Sequence, residues 1–160
     1  MASYNFTRLK RLTIIHNVVQ VGLFGLLLFM AYNFMLVFAK FGMTGYFIKS
    51  LGVSVAIQLI LFYPAWWLSR QDLEIEVETS LVGVTPERLV ALRRKRMIGD
   101  IWKLSALGAF VVFIVMIPGV DKGRGASFIL AVAYFGFLLT ALTYFQCFNY
   151  NAKKRRTELS

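Results

Sequence analysis

The stretch RQDLEIEVETSLVGVTPERLVALRRKRMIGD, residues 70–100, is the one long polar segment between two strongly apolar halves. Of the 160 residues, 58% are hydrophobic, which is more than a water-soluble domain of this length usually carries. The apolar residues come in long blocks, with the polar segment between them. This pattern indicates a chain whose two halves lie in a lipid bilayer while residues 70–100 lie outside it.

Four apolar blocks are long enough to span a membrane as helices. Short connections within each half predict two antiparallel hairpins, so the fold class is an all-α integral membrane protein with four transmembrane helices. Gly52 and Ala56 in the second block predict a face where another helix approaches closely. We place the spans at residues 12–38, 46–68, 101–117 and 126–150. The chain then divides into a basic N-terminus (1–11), hairpin 1 (12–69), a linker element (70–100), hairpin 2 (101–150) and a basic tail (151–160).

The positions of the basic residues predict the orientation. Of the 18 lysines and arginines, 14 lie on the side that holds both termini and residues 70–100, and four lie on the other side. Because basic residues concentrate in cytoplasmic loops, we predict that both termini and the linker are cytoplasmic, in a bacterial inner membrane. The net charge of +10 is spread over the ends of apolar blocks, which favours contacts with lipid headgroups and excludes nucleic acid as the expected partner.

The linker is predicted to contain a strand followed by a helix. Apolar and acidic residues alternate over residues 73–78, which is the period of a half-buried strand. Such a strand needs an edge to pair with, either residues 81–84 or another chain, and is therefore a candidate partner-binding segment. Its members are Leu73, Glu74, Ile75, Glu76, Val77 and Glu78. The helix is predicted to begin with Thr85 as N-cap, Pro86 at the first helical position and Glu87 in the first turn.

Polar residues near or inside the spans are the remaining candidates. Gln58 and Asn33 either line a pore or form hydrogen bonds between helices. Acidic residues are missing from the interiors of the spans, and Lys49 and Lys103 lie close enough to an end to reach the headgroups, which argues against a coupled transporter. A basic run in the linker either binds anionic lipid headgroups or only sets the orientation, and it consists of Arg93, Arg94, Lys95 and Arg96.

The sequence gives little support for a bound cofactor or for catalytic activity. His16 is the only histidine, so a haem would need a second His16 from a symmetric dimer, or a methionine ligand, and an interfacial histidine is the alternative. The row Glu74, Glu76 and Glu78 either holds a divalent cation or forms a solvated or ion-paired face. With one histidine and one cysteine the usual catalytic triads cannot be built, so we predict no cofactor, no metal and no enzymatic activity.

These observations favour a non-catalytic membrane protein that acts as an accessory, scaffold or assembly subunit. It would dock through its cytoplasmic segment, either to copies of itself in a homo-oligomer or to a larger membrane complex. An oligomeric channel or pore is the first alternative. A haem- or quinone-binding membrane subunit is the second.

Overall fold

The computed structural model describes residues 4–116 and 124–159 of the chain, which form four helices. These are α1 (Thr7–Lys40), α2 (Thr44–Thr79), α3 (Pro86–Met116) and α4 (Arg124–Leu159). Each contains a segment long and apolar enough to cross a membrane, as the four apolar blocks predicted. The helices run past the predicted spans, because a helix satisfies its own backbone hydrogen bonds in lipid and in water alike. Most of the predicted connection between the third and fourth spans lies at residues 117–123, outside the described residues, so the pairing into two hairpins stays a prediction.

The predicted strand at residues 73–78 is wrong. These residues are the last turns of α2, and the described part of the chain contains no strand, only an isolated bridge between Tyr4 and Leu81. Leu73 and Glu76 are buried while Glu74 and Glu78 are exposed, which is the three-to-four-residue spacing of a helix face. A helix pairs its backbone internally, whereas a lone strand would have left its backbone groups without partners.

The predicted start of the linker helix is confirmed. α3 begins at Pro86, and the backbone N–H of Arg88 donates a hydrogen bond to the Thr85 side-chain oxygen at 3.4 Å. The turn before it contains Gly83, whose φ of +90° is accessible to glycine at little cost. The chain ahead of α1 lies on this turn, because the N–H of Asn5 donates to the carbonyl of Ser80 at 2.8 Å.

α2 and α4 form the most extensive helix contact. Ser50 and Ser54 are fully buried there, and the Ser54 hydroxyl lies 3.3 Å from the carbonyl oxygen of Val132 on α4. Gly52 and Ala56, the small residues predicted to meet another helix, are exposed on a different side of α2. Within the described chain, α2 therefore approaches α4 through its serines.

Two apolar clusters hold α1 against these helices. The one near the α1–α2 turn is rich in phenylalanine and includes Phe34, Phe38 and Phe135. The other joins Leu9 of α1 and Leu73 of α2 to Phe148 of α4. The starts of α1 and α3 and the ends of α2 and α4 thus lie together, and we refer to this part of the bundle as the charged end.

α3 packs more loosely than the other helices, and the most apolar part of it is not buried against the described chain at all. Near the charged end it lies close to α2 at Gly99, where an added Cβ would lie 3.4 Å from the Asp72 carboxylate. Further along, the ring of Phe110 stacks on that of Phe137, with centroids 4.1 Å apart. Between these two positions the long side chain of Lys103 reaches Asp72 of α2 at 2.7 Å.

Candidate functional site

Six side chains from all four helices meet at the charged end, and we call them the charged cluster. α1 contributes one, α2 two, α3 two and α4 one. They are Arg8, Asp72, Glu76, Arg96, Lys103 and Tyr144. Because the two acids of α2 are four residues apart, they project from the same side of that helix. The cluster therefore ties α1, α3 and α4 to one face of α2.

Glu76 is the most buried charge of the cluster, with only 7% of its surface exposed. One carboxylate oxygen is paired with the guanidinium of Arg96, and the other lies 3.3 Å from Nε of Arg8. A buried carboxylate is stable only when its charge is matched by close partners. The two arginines, from the starts of α3 and α1, provide that match.

Asp72 is the second acid of the cluster, and it is paired with α3 and α4. Its Oδ2 atom lies 2.7 Å from the ammonium of Lys103 and accepts a hydrogen bond from the hydroxyl of Tyr144. Lys103 also lies 5.3 Å from the centre of the Tyr144 ring and 3.4 Å from the Asp100 carboxylate. Lys103, predicted only to reach the headgroups, is therefore ion-paired with α2 while its side chain stays partly exposed.

The charged cluster encloses a cavity of about 200 Å³, which His16 and Asp100 also line. His16 packs edge-on against the rings of Phe148 and Phe145, at centroid distances of 4.5 and 4.9 Å. No set of three or more potential metal-ligating side chains occurs in the described ranges. The contacts of His16 are thus those of a histidine packed against aromatic rings.

A larger, laterally open cavity of about 780 Å³, which we call the apolar chamber, is lined by residues of all four helices. Its walls are almost entirely apolar, and they run along α4 from Phe128 to Tyr144, a distance of about 24 Å at 1.5 Å per residue. Gly136 opens into it: the residue is buried, yet a Cβ added there would meet no described atom within 4 Å. At the charged end the chamber finishes at Lys103 and Tyr144.

A third cavity, of about 660 Å³, lies between the end of α2 and the start of α3, and we call it the polar groove. Leu68, Lys103 and Ala106 line both the groove and the apolar chamber, so the two spaces adjoin. Trp67 and Trp102 also line the groove, and charged side chains of both helices complete it. Together, the two cavities form a long apolar space that has charged side chains in its lining at one end.

The structure gives the four basic residues of the linker different surroundings. Arg96 turns inward to Glu76, and Lys95 lines the polar groove. Arg93 and Arg94 are exposed. Of the four residues, Arg96 thus forms an ion pair within the chain, while Lys95, Arg93 and Arg94 are exposed; whether the run binds headgroups or only sets the orientation stays a prediction.

The polar candidates inside the spans form hydrogen bonds within the chain. The Gln58 amide donates to the hydroxyl of Thr143 at 2.6 Å and accepts from that of Thr140 at 2.8 Å, which links α2 to α4. Asn33 donates to the carbonyl of Phe29 in its own helix at 2.8 Å. Of the two roles considered for Gln58, this geometry favours the helix contact over a pore lining.

We expect Gln58→Leu to lower the free energy of unfolding by about 1 kcal/mol, since hydrogen bonds between membrane helices average about 0.6 kcal/mol each. The effect stays small because both threonines keep backbone partners in α4. Thr143 donates to the carbonyl of Leu139, and without Gln58 the Thr140 hydroxyl can donate to the carbonyl of Gly136, 2.8 Å away. Unfolding by sodium dodecyl sulfate in mixed micelles measures the change. Asn33→Leu, which removes a bond within one helix, is the control, and a larger loss in the control would contradict the assignment.

The sequence interpretation missed Asp72, Lys103 and Tyr144 as a unit. Each has an ordinary explanation by itself: a solvated acid in the linker, a lysine near a span end, and one tyrosine among many aromatic residues. The sequence did contain a usable signal. If residues 70–79 are taken as a helix, Asp72 and Glu76 lie on one face of it and can pair with the basic residues at the start of the third span.

Comparison of the chain with models of protein families, with curated proteins and with solved structures finds no match.

Proposed function

We propose that the protein is a non-catalytic membrane protein that holds an amphipathic, lipid-like molecule. The tail of this molecule lies in the apolar chamber and its polar end lies at Lys103, where the chamber meets the polar groove. The charged end faces the cytoplasm, in keeping with the distribution of lysine and arginine. The observation that carries the proposal is the long apolar chamber with a fixed polar group at one end.

The size and shape of the chamber support a chain-like occupant. A volume of about 780 Å³ falls within the range of roughly 300–1,000 Å³ that is usual for small-molecule sites. Its length of about 24 Å along α4 approaches the roughly 30 Å thickness of the hydrocarbon core. An apolar space of this size left empty would forfeit van der Waals contacts along its walls, so a hydrocarbon chain would stabilise it.

The polar end supports a specific occupant over bulk lipid. The ammonium of Lys103 already has two partners within the chain, Asp72 at 2.7 Å and Asp100 at 3.4 Å. Asp72 is in turn held by Tyr144. A ligand head arriving at the top of the chamber therefore meets groups whose positions are set in advance, which lowers the entropic cost of binding.

The scaffold role predicted from the sequence had relied on an unpaired strand at residues 73–78, and that motivation is withdrawn. Assembly with copies of this chain or with a larger complex stays a prediction, and it is compatible with holding a ligand. A quinone-binding subunit, one of the alternatives, is a special case of the present proposal in which the head is a quinone ring.

Filling the chamber tests the proposal. We expect Gly136→Trp to reduce the lipid-like material that copurifies with the protein roughly tenfold or more, because the indole ring would occupy the space of the chain. The measurement is organic extraction of the protein purified in mild detergent, with quantification by mass spectrometry per mole of protein.

Gly52→Trp is the matched control, because Gly52 is exposed on α2 and a Cβ added there would also meet no described atom within 4 Å. This control should leave the amount of bound material unchanged. Equal amounts in wild type and Gly136→Trp, or equal losses in the two variants, would overturn the proposal.

A further inference from the structure

We infer that the molecule held in the chamber carries a phosphate group, which is bound in the polar groove by Lys95. The inference rests on the proposed function and names the chemical class of its ligand. It follows from the charges that remain in the groove once the ion pairs within the chain are taken into account.

The three acids that line the groove already have basic partners. Asp72 is paired with Lys103 at 2.7 Å, Glu74 with Arg70 at 3.2 Å and Glu78 with Arg88 at 2.8 Å. Arg70 and Arg88 do not line the groove themselves. Glu74 and Glu78 are therefore paired from the outer side of the groove, while Lys103 is shared between Asp72 and Asp100. Lys103 thus has no charge left over for a ligand.

Lys95 is the charge in the groove that remains available. Among the described residues it has no ion-pair or hydrogen-bond partner, and it lines the groove on the side of α3. Exposed Arg93 and Arg94, immediately before it, add positive potential at the same helix start. An anionic head entering from the headgroup region would therefore meet a favourable charge at this position.

The spacing on α3 suits a phosphate above a hydrocarbon tail. Lys95 and Lys103 are about 12 Å apart along the helix axis, and Gly99 lies between them. Because Gly99 has no side chain, α3 lies against Asp72 at this level, and an added Cβ would lie 3.4 Å from the Asp72 carboxylate. Lys95 is thus nearer the headgroup region, while Lys103 lies at the mouth of the apolar chamber. A phosphate ester bound at Lys95 would therefore extend its hydrocarbon chain past Lys103 into the apolar chamber.

The test uses the purified full-length protein and three probe lipids with identical chains. Dioleoylphosphatidate carries a phosphate monoester. Dioleoylphosphatidylcholine carries a phosphate diester whose charge is neutralised by a choline cation, and dioleoylglycerol carries no phosphate. Binding is measured by titration and native mass spectrometry. Phosphatidate is expected to bind roughly tenfold or more tightly than dioleoylglycerol, which is the effect of one charge-assisted hydrogen bond. Phosphatidylcholine should fall between them.

Lys95→Gln is expected to weaken phosphatidate binding roughly tenfold and to leave dioleoylglycerol unchanged. Arg94→Gln is the matched control, because it removes the same charge from the adjacent residue, which does not line the groove. Equal affinity of wild type for phosphatidate and dioleoylglycerol, or equal losses in the two variants, would overturn the inference.

The same experiment separates this inference from the proposed function. Suppose that the wild-type protein binds all three lipids equally well and that Gly136→Trp abolishes this binding. The chamber is then confirmed as the site, and only the inference of a phosphate group is wrong. If Gly136→Trp changes nothing, the proposed function fails as well. If Gly136→Trp has no effect and millimolar inorganic phosphate displaces phosphatidate, the groove binds a soluble anion. That result would overturn the inference of a phosphate-bearing lipid.

Discussion

Replacing Glu76 with glutamine is expected to lower the free energy of unfolding by about 3 kcal/mol, near the low end of the cost of breaking a buried ion pair. The variant would leave the guanidinium of Arg96, which is largely buried, facing a neutral amide. Arg8 would lose its partner too, but its side chain is half exposed and water can solvate it. Unfolding by sodium dodecyl sulfate in mixed micelles gives the difference directly.

Glu74→Gln is the matched control, only two residues away on the same helix. Its ion pair with Arg70 is exposed on both sides, and such pairs contribute between about 0 and 1 kcal/mol. A double variant, Glu76→Leu with Arg96→Met, should recover most of the lost stability, because an apolar pair of similar size removes the unpaired charge. Equal losses for Glu76→Gln and Glu74→Gln would show that Glu76 is not buried as described.

The contrast between Glu74 and Glu76 also explains why the sequence predicted a strand here. Over the six residues 73–78 the apolar residues alternate strictly, which fits a period of two better than 3.6. In the helix the buried positions are Leu73 and the ion-paired Glu76. Longer-range information favours the helix, since no glycine or proline occurs between Pro64 and Gly83. Continuing the second span as a helix through this stretch would have been the better interpretation.

The sequence predicted well what depends on local composition. Four apolar blocks became helices long enough to span a membrane, and the Thr85–Pro86 helix start is confirmed. It could not predict which acid turns inward, because the partners of Glu76 come from residues 8 and 96, far from it along the chain. The apolar chamber could not be predicted either, since its lining residues come from all four helices and their packing is not encoded locally.

The second large effect on stability is expected at Ser54, where α2 contacts α4. We expect Ser54→Leu to lower the free energy of unfolding by about 2–3 kcal/mol, the upper part of the usual cost of overpacking. Ser54 is fully buried, and its hydroxyl lies 2.7 Å from the carbonyl of Ser50 and 3.3 Å from that of Val132. A leucine side chain would push α4 away from α2. The loss should appear in the same detergent titration, and Ser54→Ala should behave almost like wild type.

Gly52→Leu tests whether this contact has been assigned to the correct side of α2. The sequence pattern named Gly52 and Ala56 as the close-packing pair, whereas in the structure a Cβ at Gly52 would meet no described atom within 4 Å. Leucine at Gly52 should therefore keep or raise stability, because leucine favours a helix by up to about 1 kcal/mol over glycine. Serine can replace glycine at such a contact because it is small and its hydroxyl returns to the backbone of its own helix. If Gly52→Leu were as harmful as Ser54→Leu, or Ser54→Leu were harmless, the face of α2 that meets α4 would have to be reassigned.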